Sequence, residues 1–160
     1  MALPRIVLDT NCLVSALVFS HSRLSPFRTY WQASRYIPLG CEATVNELIR
    51  VLAYPKFELS KEDIEQLLRD ILPFLETCKI QGAYDPINGL HDLADAVFIH
   101  LAQQARADLL VSGDTHILAL QGKIPGLSIS RPADFLHTLE TTLKTSWHRN
   151  IASTRHQRNT

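Results

Sequence analysis

Apolar positions alternate along this chain between short unbroken runs and longer stripes of helical period. Ile6, Val7 and Leu8 form such a run, and a short continuous apolar run fits a strand buried on both faces. A strand is therefore expected over Arg5–Leu8, followed at once by a helix over Asn11–Phe19 with Leu13, Ala16 and Leu17 on one side. A second helix is expected over Ser25–Ala33, with Pro26 in its first turn, where a missing N–H costs little. Tyr36–Leu39 is a candidate strand. From Glu42 to Leu52, Val45, Leu48, Ile49 and Leu52 share a helical face, and "YPKF" breaks the pattern. Ser60 followed by Asp63 is a capping-box pattern, and Ile64, Leu67, Leu68, Ile71 and Leu72 then repeat as the clearest amphipathic stripe in the chain. Pro73 ends or kinks that helix.

The second half repeats the alternation. Thr77–Ile80 is a possible short strand, and "QGAYDPING" reads as loop. A helix follows over Asp92–Arg106, turning Val97, Phe98, Leu101, Ala102 and Ala105 inward. Leu109, Leu110 and Val111 make a strand that stops at Ser112-Gly113-Asp114. A short helix through Leu120, a last strand in "GLSIS" and a last helix in "RPADFLHTLETTL" complete the order. Short apolar strands alternating with helices imply an α/β fold, a parallel sheet covered on both faces.

Composition narrows the class. The 160 residues, 46% hydrophobic and 20% charged, suit one ordinary domain with a real core. Sixteen basic and sixteen acidic residues give zero formal net charge, so the protein is no polycation and any nucleic-acid contact must be local. After Glu140 the chain carries Lys144, Arg149, Arg155 and Arg158 without an acid, so 1–143 reads as the domain and 144–160 as a basic tail. Three scattered cysteines, Cys12, Cys41 and Cys78, fit small buried thiols in a reducing, cytoplasmic setting. "MALPRIV" lacks the pattern of a signal peptide, and no apolar run approaches the ~20 residues of a membrane helix.

The candidate chemistry sits at strand ends. Asp9 and Asp114 each stand where a strand becomes a helix, and in open α/β sheets sites form outside the carboxyl ends of the strands. Each is equally suited to capping the helix that follows. Asp92 and Asp95 lie three apart at a helix start, Asp92 as a natural cap and Asp95 against an apolar face where an unpaired carboxylate is costly. Glu47 borders the apolar face of its helix, whereas Glu42 suits a solvated first turn. Several carboxylates in one pocket stay ionised only beside a counter-charge. Oxygen ligands of this kind suit Mg²⁺ or Mn²⁺, which can polarise a phosphodiester and activate water. His91, His100 and His116 form no zinc pattern. Arg23, Arg28 and Arg35, interleaved with Phe27, Tyr30 and Trp31, suit either contacts to single-stranded RNA or the two faces of an amphipathic helix.

Four segments resemble the PIN-domain nucleases, particularly the bacterial VapC-like group that forms the toxin half of toxin–antitoxin pairs. They are "IVLDTNCLVSAL", "VNELIRVLAYPKF", "DLADAVFIHLA" and "ADLLVSGDTHIL", and they occur in the family's order. The resemblance implies a Rossmann-like three-layer PIN domain with a short central parallel sheet. It implies a metal-dependent endoribonuclease leaving 5′-phosphate and 3′-hydroxyl ends. Asp9, Glu47, Asp95 and Asp114 would be the metal-site acids, Asp92 a further one, and Ser112, Thr10 and Asn11 orienting groups. An antitoxin, single-stranded RNA and a second copy of the chain are the partners it implies. Two positions depart from the family pattern: Ala96 where a further acid often stands, and Thr115-His116 where a basic residue usually follows the last aspartate. A non-catalytic PIN-like binding module is the competing reading. A haloacid-dehalogenase-type phosphatase would need an Asp-x-Asp, and here the motif is Asp9-Thr10-Asn11.

Overall fold

In the computed structural model residues 2–142 are described; the basic tail expected at 144–160 lies outside them. Strand β1 (Arg5–Leu8) is central, and the sheet runs β3-β2-β1-β4-β5 with every pairing parallel. Its neighbours are β2 (Ile37–Gly40) and β4 (Leu109–Val111), with β3 (Glu76–Thr77) and β5 (Ile129–Ser130) at the edges. Ile6 pairs with Leu109 and Leu8 with Val111, which aligns the carboxyl ends of β1 and β4.

Successive strand side chains point to opposite faces, and the core divides accordingly. Ile6, Leu8, Leu109 and Val111 pack on one face against helices α1 (Thr10–Val18), α2 (Ser25–Gln32), α3 (Glu42–Leu52) and α7 (Pro132–Thr141). Val7, Leu110 and Ile129 pack on the other, against α5 (Leu93–Gln104) and α6 (Thr115–Leu118). The α/β sheet covered on both faces is thus as the sequence pattern implies. On the first face Phe135 meets the edges of Phe27 and Tyr36 with ring centres 5.1 and 5.3 Å apart. Tyr36 hides its hydroxyl by donating to the Phe27 carbonyl at 2.8 Å. Phe27 and Trp31 are fully buried, Arg28 pairs with Asp70, and Arg35 donates to the Thr142 carbonyl. Phe27 and Trp31 therefore belong to the core face of α2 with Tyr30 packed against it, and Arg28 to its outer side, whereas Arg23 and Arg35 lie outside the helix.

Several expected elements differ in extent. Helix α4 (Lys61–Arg69) starts with the capping box, Ser60 and Asp63 each accepting the other's N–H, but stops well before Pro73. Ile71 is then buried from an irregular turn, and Leu72, expected on the same stripe, is exposed within a 3₁₀ turn (Leu72–Phe74). The edge strand β3 begins at Glu76 and lasts two residues, where four were expected from Thr77. In α3, Ile49 faces solvent; the inward positions are Thr44, Leu48 and Leu52, with Val51 packed beside them. Cys12 and Cys41 are buried as expected, whereas Cys78 is half-buried beside Glu76.

Candidate active site

Chain direction brings the acids together. β1 ends at Leu8, so Asp9 lies at the rim and opens α1, its Oδ1 accepting the Cys12 N–H at 2.8 Å. β4 ends at Val111, so Asp114 lies on the same rim and opens α6, its Oδ1 accepting from His116 and Ile117 at 2.8 and 3.1 Å. Between them Ser112 is fully buried. Its hydroxyl donates to Asp9 Oδ2 at 2.6 Å and accepts the Asp114 N–H at 3.0 Å. One oxygen therefore fixes both strand-end acids relative to each other.

Two helices bring further acids over this rim. Glu47, in the second turn of α3, accepts the Thr10 hydroxyl at 2.9 Å on Oε2, and Arg50 lies 3.7 Å from its other oxygen. Asp95 occupies the first turn of α5, whose cap is Asp92 through a 2.9 Å bond from the Ala94 N–H. Asp9, Thr10, Asn11, Glu47, Asp95 and Asp114 line a single cleft of about 90 Å³, with Val51 and Phe98 as apolar walls.

The charges in this cleft oppose one another. The Asp95 carboxyl is pushed up to about 6, first by burial and then by the charges of Asp114, Asp92, Asp9 and Glu47. Burial and the neighbouring Asp9 also raise the Cys12 thiol strongly, so it stays protonated and is no nucleophile. Among the described residues, no group of three or more His, Cys, Asp or Glu side chains is placed to hold an ion as it stands. Both oxygens of Asp9 and one of Asp114 already accept from the chain. The donor set is nonetheless of one kind: hard carboxylate oxygens whose mutual repulsion a divalent cation would relieve.

The PIN domain model matches residues 5–116, a span holding every acid of the cleft. The chain belongs to the PIN-domain family. PIN domains are generally nucleases and generally use divalent metals. No curated protein matches the sequence significantly. Solved structures of similar fold include PAE2754 from Pyrobaculum aerophilum, at 15% identity and a TM-score of 0.55, covering 89% of this chain and 98% of that one. VapBC2 from Rickettsia felis, bound to a DNA fragment from its promoter, is similar at 17% identity and a TM-score of 0.57, covering 79% of this chain and 98% of that one.

In this PIN domain, six residues expected at the site line the cleft and Ser112 lies directly beneath it. Asp92 does not line the cleft; it is exposed at the helix cap and reaches the site through its charge on Asp95. Glu42 is exposed in the first turn of α3, as its position suggested. Sequence reasoning passed over Arg50, Val51 and Phe98. The Glu47–Arg50 spacing of three was a legible signal for the first. Val51 and Phe98 carried none, because a cleft wall and a core face have the same apolar pattern.

Among the described residues, no helix is long and apolar enough to cross a membrane.

Proposed function

We propose that this PIN domain is an Mg²⁺- or Mn²⁺-dependent endoribonuclease that hydrolyses single-stranded RNA and serves as the toxin of a toxin–antitoxin pair. The observation that carries it is the convergence of four carboxylates from two strand ends and two helices on one cleft, with Asp95 pushed up to about 6. Held by Asp9, Glu47, Asp95 and Asp114, the cation would polarise the phosphodiester and lower the pKa of water. Ser112 keeps Asp9 and Asp114 in one orientation, and Thr10 fixes the oxygen that Glu47 presents. Asn11, exposed on the rim, is placed to orient substrate or water. Val51 and Phe98, the apolar walls of the cleft, would limit the water that reaches it. Asp92 adds negative charge that would favour the cation.

The toxin role is supported by the four matching segments and by the likeness in fold to VapBC2. It carries with it an antitoxin partner, a homodimer and a cytoplasmic location. The test is cleavage of an end-labelled single-stranded RNA pool by wild type and Asp9→Asn, with Mg²⁺, Mn²⁺ or EDTA. Cleavage that needs the cation and vanishes in the variant is expected. Equal cleavage by Asp9→Asn would overturn the assignment of the cleft. A folded protein that neither cleaves nor binds Mn²⁺ would be a binding module.

A further inference from the structure

The segment Ser112–Asp114 borders both the acidic cleft and a second depression that carries two arginines. This groove holds about 470 Å³, and Arg23, Gly113, Arg131 and His137 line it beside five apolar residues and one acid, Glu140. Gly113 lines it while the next residue, Asp114, lines the cleft. The Ser130 carbonyl accepts the Ser112 N–H at 3.0 Å, so Arg131, next along the chain from Ser130, stands beside Ser112 on the same rim.

The charges in the groove are available. Arg23 is exposed and makes no ion pair or hydrogen bond among the described residues. Arg131 pairs with Asp134 at 3.0 Å while its side chain stays 65% exposed. Such a pair contributes little, and a guanidinium has five N–H donors to share. The acid lining the groove, Glu140, lies nine residues further along α7, roughly 13 Å away at 1.5 Å per residue.

Gly113 adds an independent observation. Its φ is not positive, and a Cβ built on it would meet no heavy atom within 4 Å. Neither the backbone nor the packing of this chain calls for glycine there. A side chain there would enter open space at the edge of the groove that Gly113 lines, one residue from Asp114 in the cleft.

We propose that the phosphate backbone of the substrate strand runs from this groove across Gly113 into the acidic cleft, with Arg23 and Arg131 as positioning residues. The proposal rests on the ribonuclease reading and names the path its substrate takes. The experiment is fluorescence anisotropy of a labelled single-stranded oligoribonucleotide with Mg²⁺, in an Asp9→Asn background that leaves the RNA intact, across a series of salt concentrations. Arg23→Ala and Arg131→Ala are each expected to weaken binding about tenfold and to lower the salt slope by about 0.7, the loss of one phosphate contact to a single strand. Gly113→Ala is expected to weaken binding while its thermal midpoint holds or rises, because alanine restricts the unfolded chain more than glycine does. Unchanged affinity and slope in both arginine variants would overturn the path even if wild type cleaves RNA. Weakened binding in those variants beside an Asp9-intact protein that cleaves nothing would uphold the path and remove the hydrolytic reading instead.

Discussion

At the scale of single residues, the Ser112 hydroxyl is the tightest link in the site, because one buried oxygen serves two acids. Ser112→Ala leaves a carboxylate oxygen and a backbone N–H without that partner. It should cost roughly 1–3 kcal/mol in urea denaturation and lower cleavage at saturating cation. Asp9→Asn behaves differently. Its amide oxygen can still cap α1, but its amide nitrogen then faces the Ser112 hydroxyl and cannot accept from it, so stability should fall by roughly 1–2 kcal/mol while cleavage is lost. Cleavage retained by the folded variant would mean that Asp9 acts through structure. Asp95 has a signature in pH. Its folded carboxyl titrates near 6, above its ordinary 3.8, so its contribution to stability is complete below the lower value and is lost as pH rises through the upper one. In EDTA, wild type should therefore lose thermal stability relative to Asp95→Asn between about pH 4 and pH 6, and the variant should be the more stable at neutral pH. Parallel melting curves for the two proteins would refute the burial of that charge. The sequence left capping and site chemistry as alternatives for Asp9 and Asp114; the structure shows both caps made on the cleft rim itself. A strand-to-helix junction at a sheet's carboxyl edge offers the two roles together.

At the scale of elements, what could be read from the sequence was what local burial dictates. The runs at Ile6–Leu8 and Leu109–Val111 are apolar at every position because both faces of their strands are covered, and that pattern places the central strands. Edge strands carry no such pattern. β3 is fixed by tertiary contacts: Arg5 pairs with Glu76, and Leu75 packs onto Gly40 at the end of β2. Those contacts, made across the sheet, are why β3 starts one residue early. The same blindness hid the turn that buries Ile71 after α4 has ended. Gly40 gives the element-scale prediction. A Cβ there would stand 2.6 Å from a Leu75 methyl, so Gly40→Ala should cost roughly 1–3 kcal/mol by overpacking. Thermal denaturation measures it, and because β2 leads directly into α3, the variant should also cleave more slowly through a displaced Glu47. Full stability in Gly40→Ala would show that the edge of the sheet yields easily and that α3 is positioned from elsewhere.

At the scale of the whole molecule, zero net charge conceals a partition: acids gather at one end of the sheet around Asp9 and Asp114, and two arginines line the groove beside Gly113. A cluster of like charges destabilises the fold that creates it, so a cation that neutralises the cluster must stabilise that fold by linkage. With Mg²⁺ or Mn²⁺ at a hundred times its dissociation constant, the gain is about 2.7 kcal/mol, and EDTA should return the melting temperature to its starting value. The gain should depend on pH in a definite direction. Below about pH 6 Asp95 takes up a proton, which removes one negative charge and with it part of the repulsion, so the cation-induced rise in melting temperature should be smaller at pH 5 than at pH 8. Asp95→Asn should reduce the rise at pH 8 toward the value wild type shows at pH 5. Melting curves with and without cation at the two pH values, on wild type and this variant, make the comparison without any RNA present. An equal rise at both pH values, or an undiminished rise in the variant, would place the cation away from Asp95. The four-acid cleft would then need another explanation for holding its charges together.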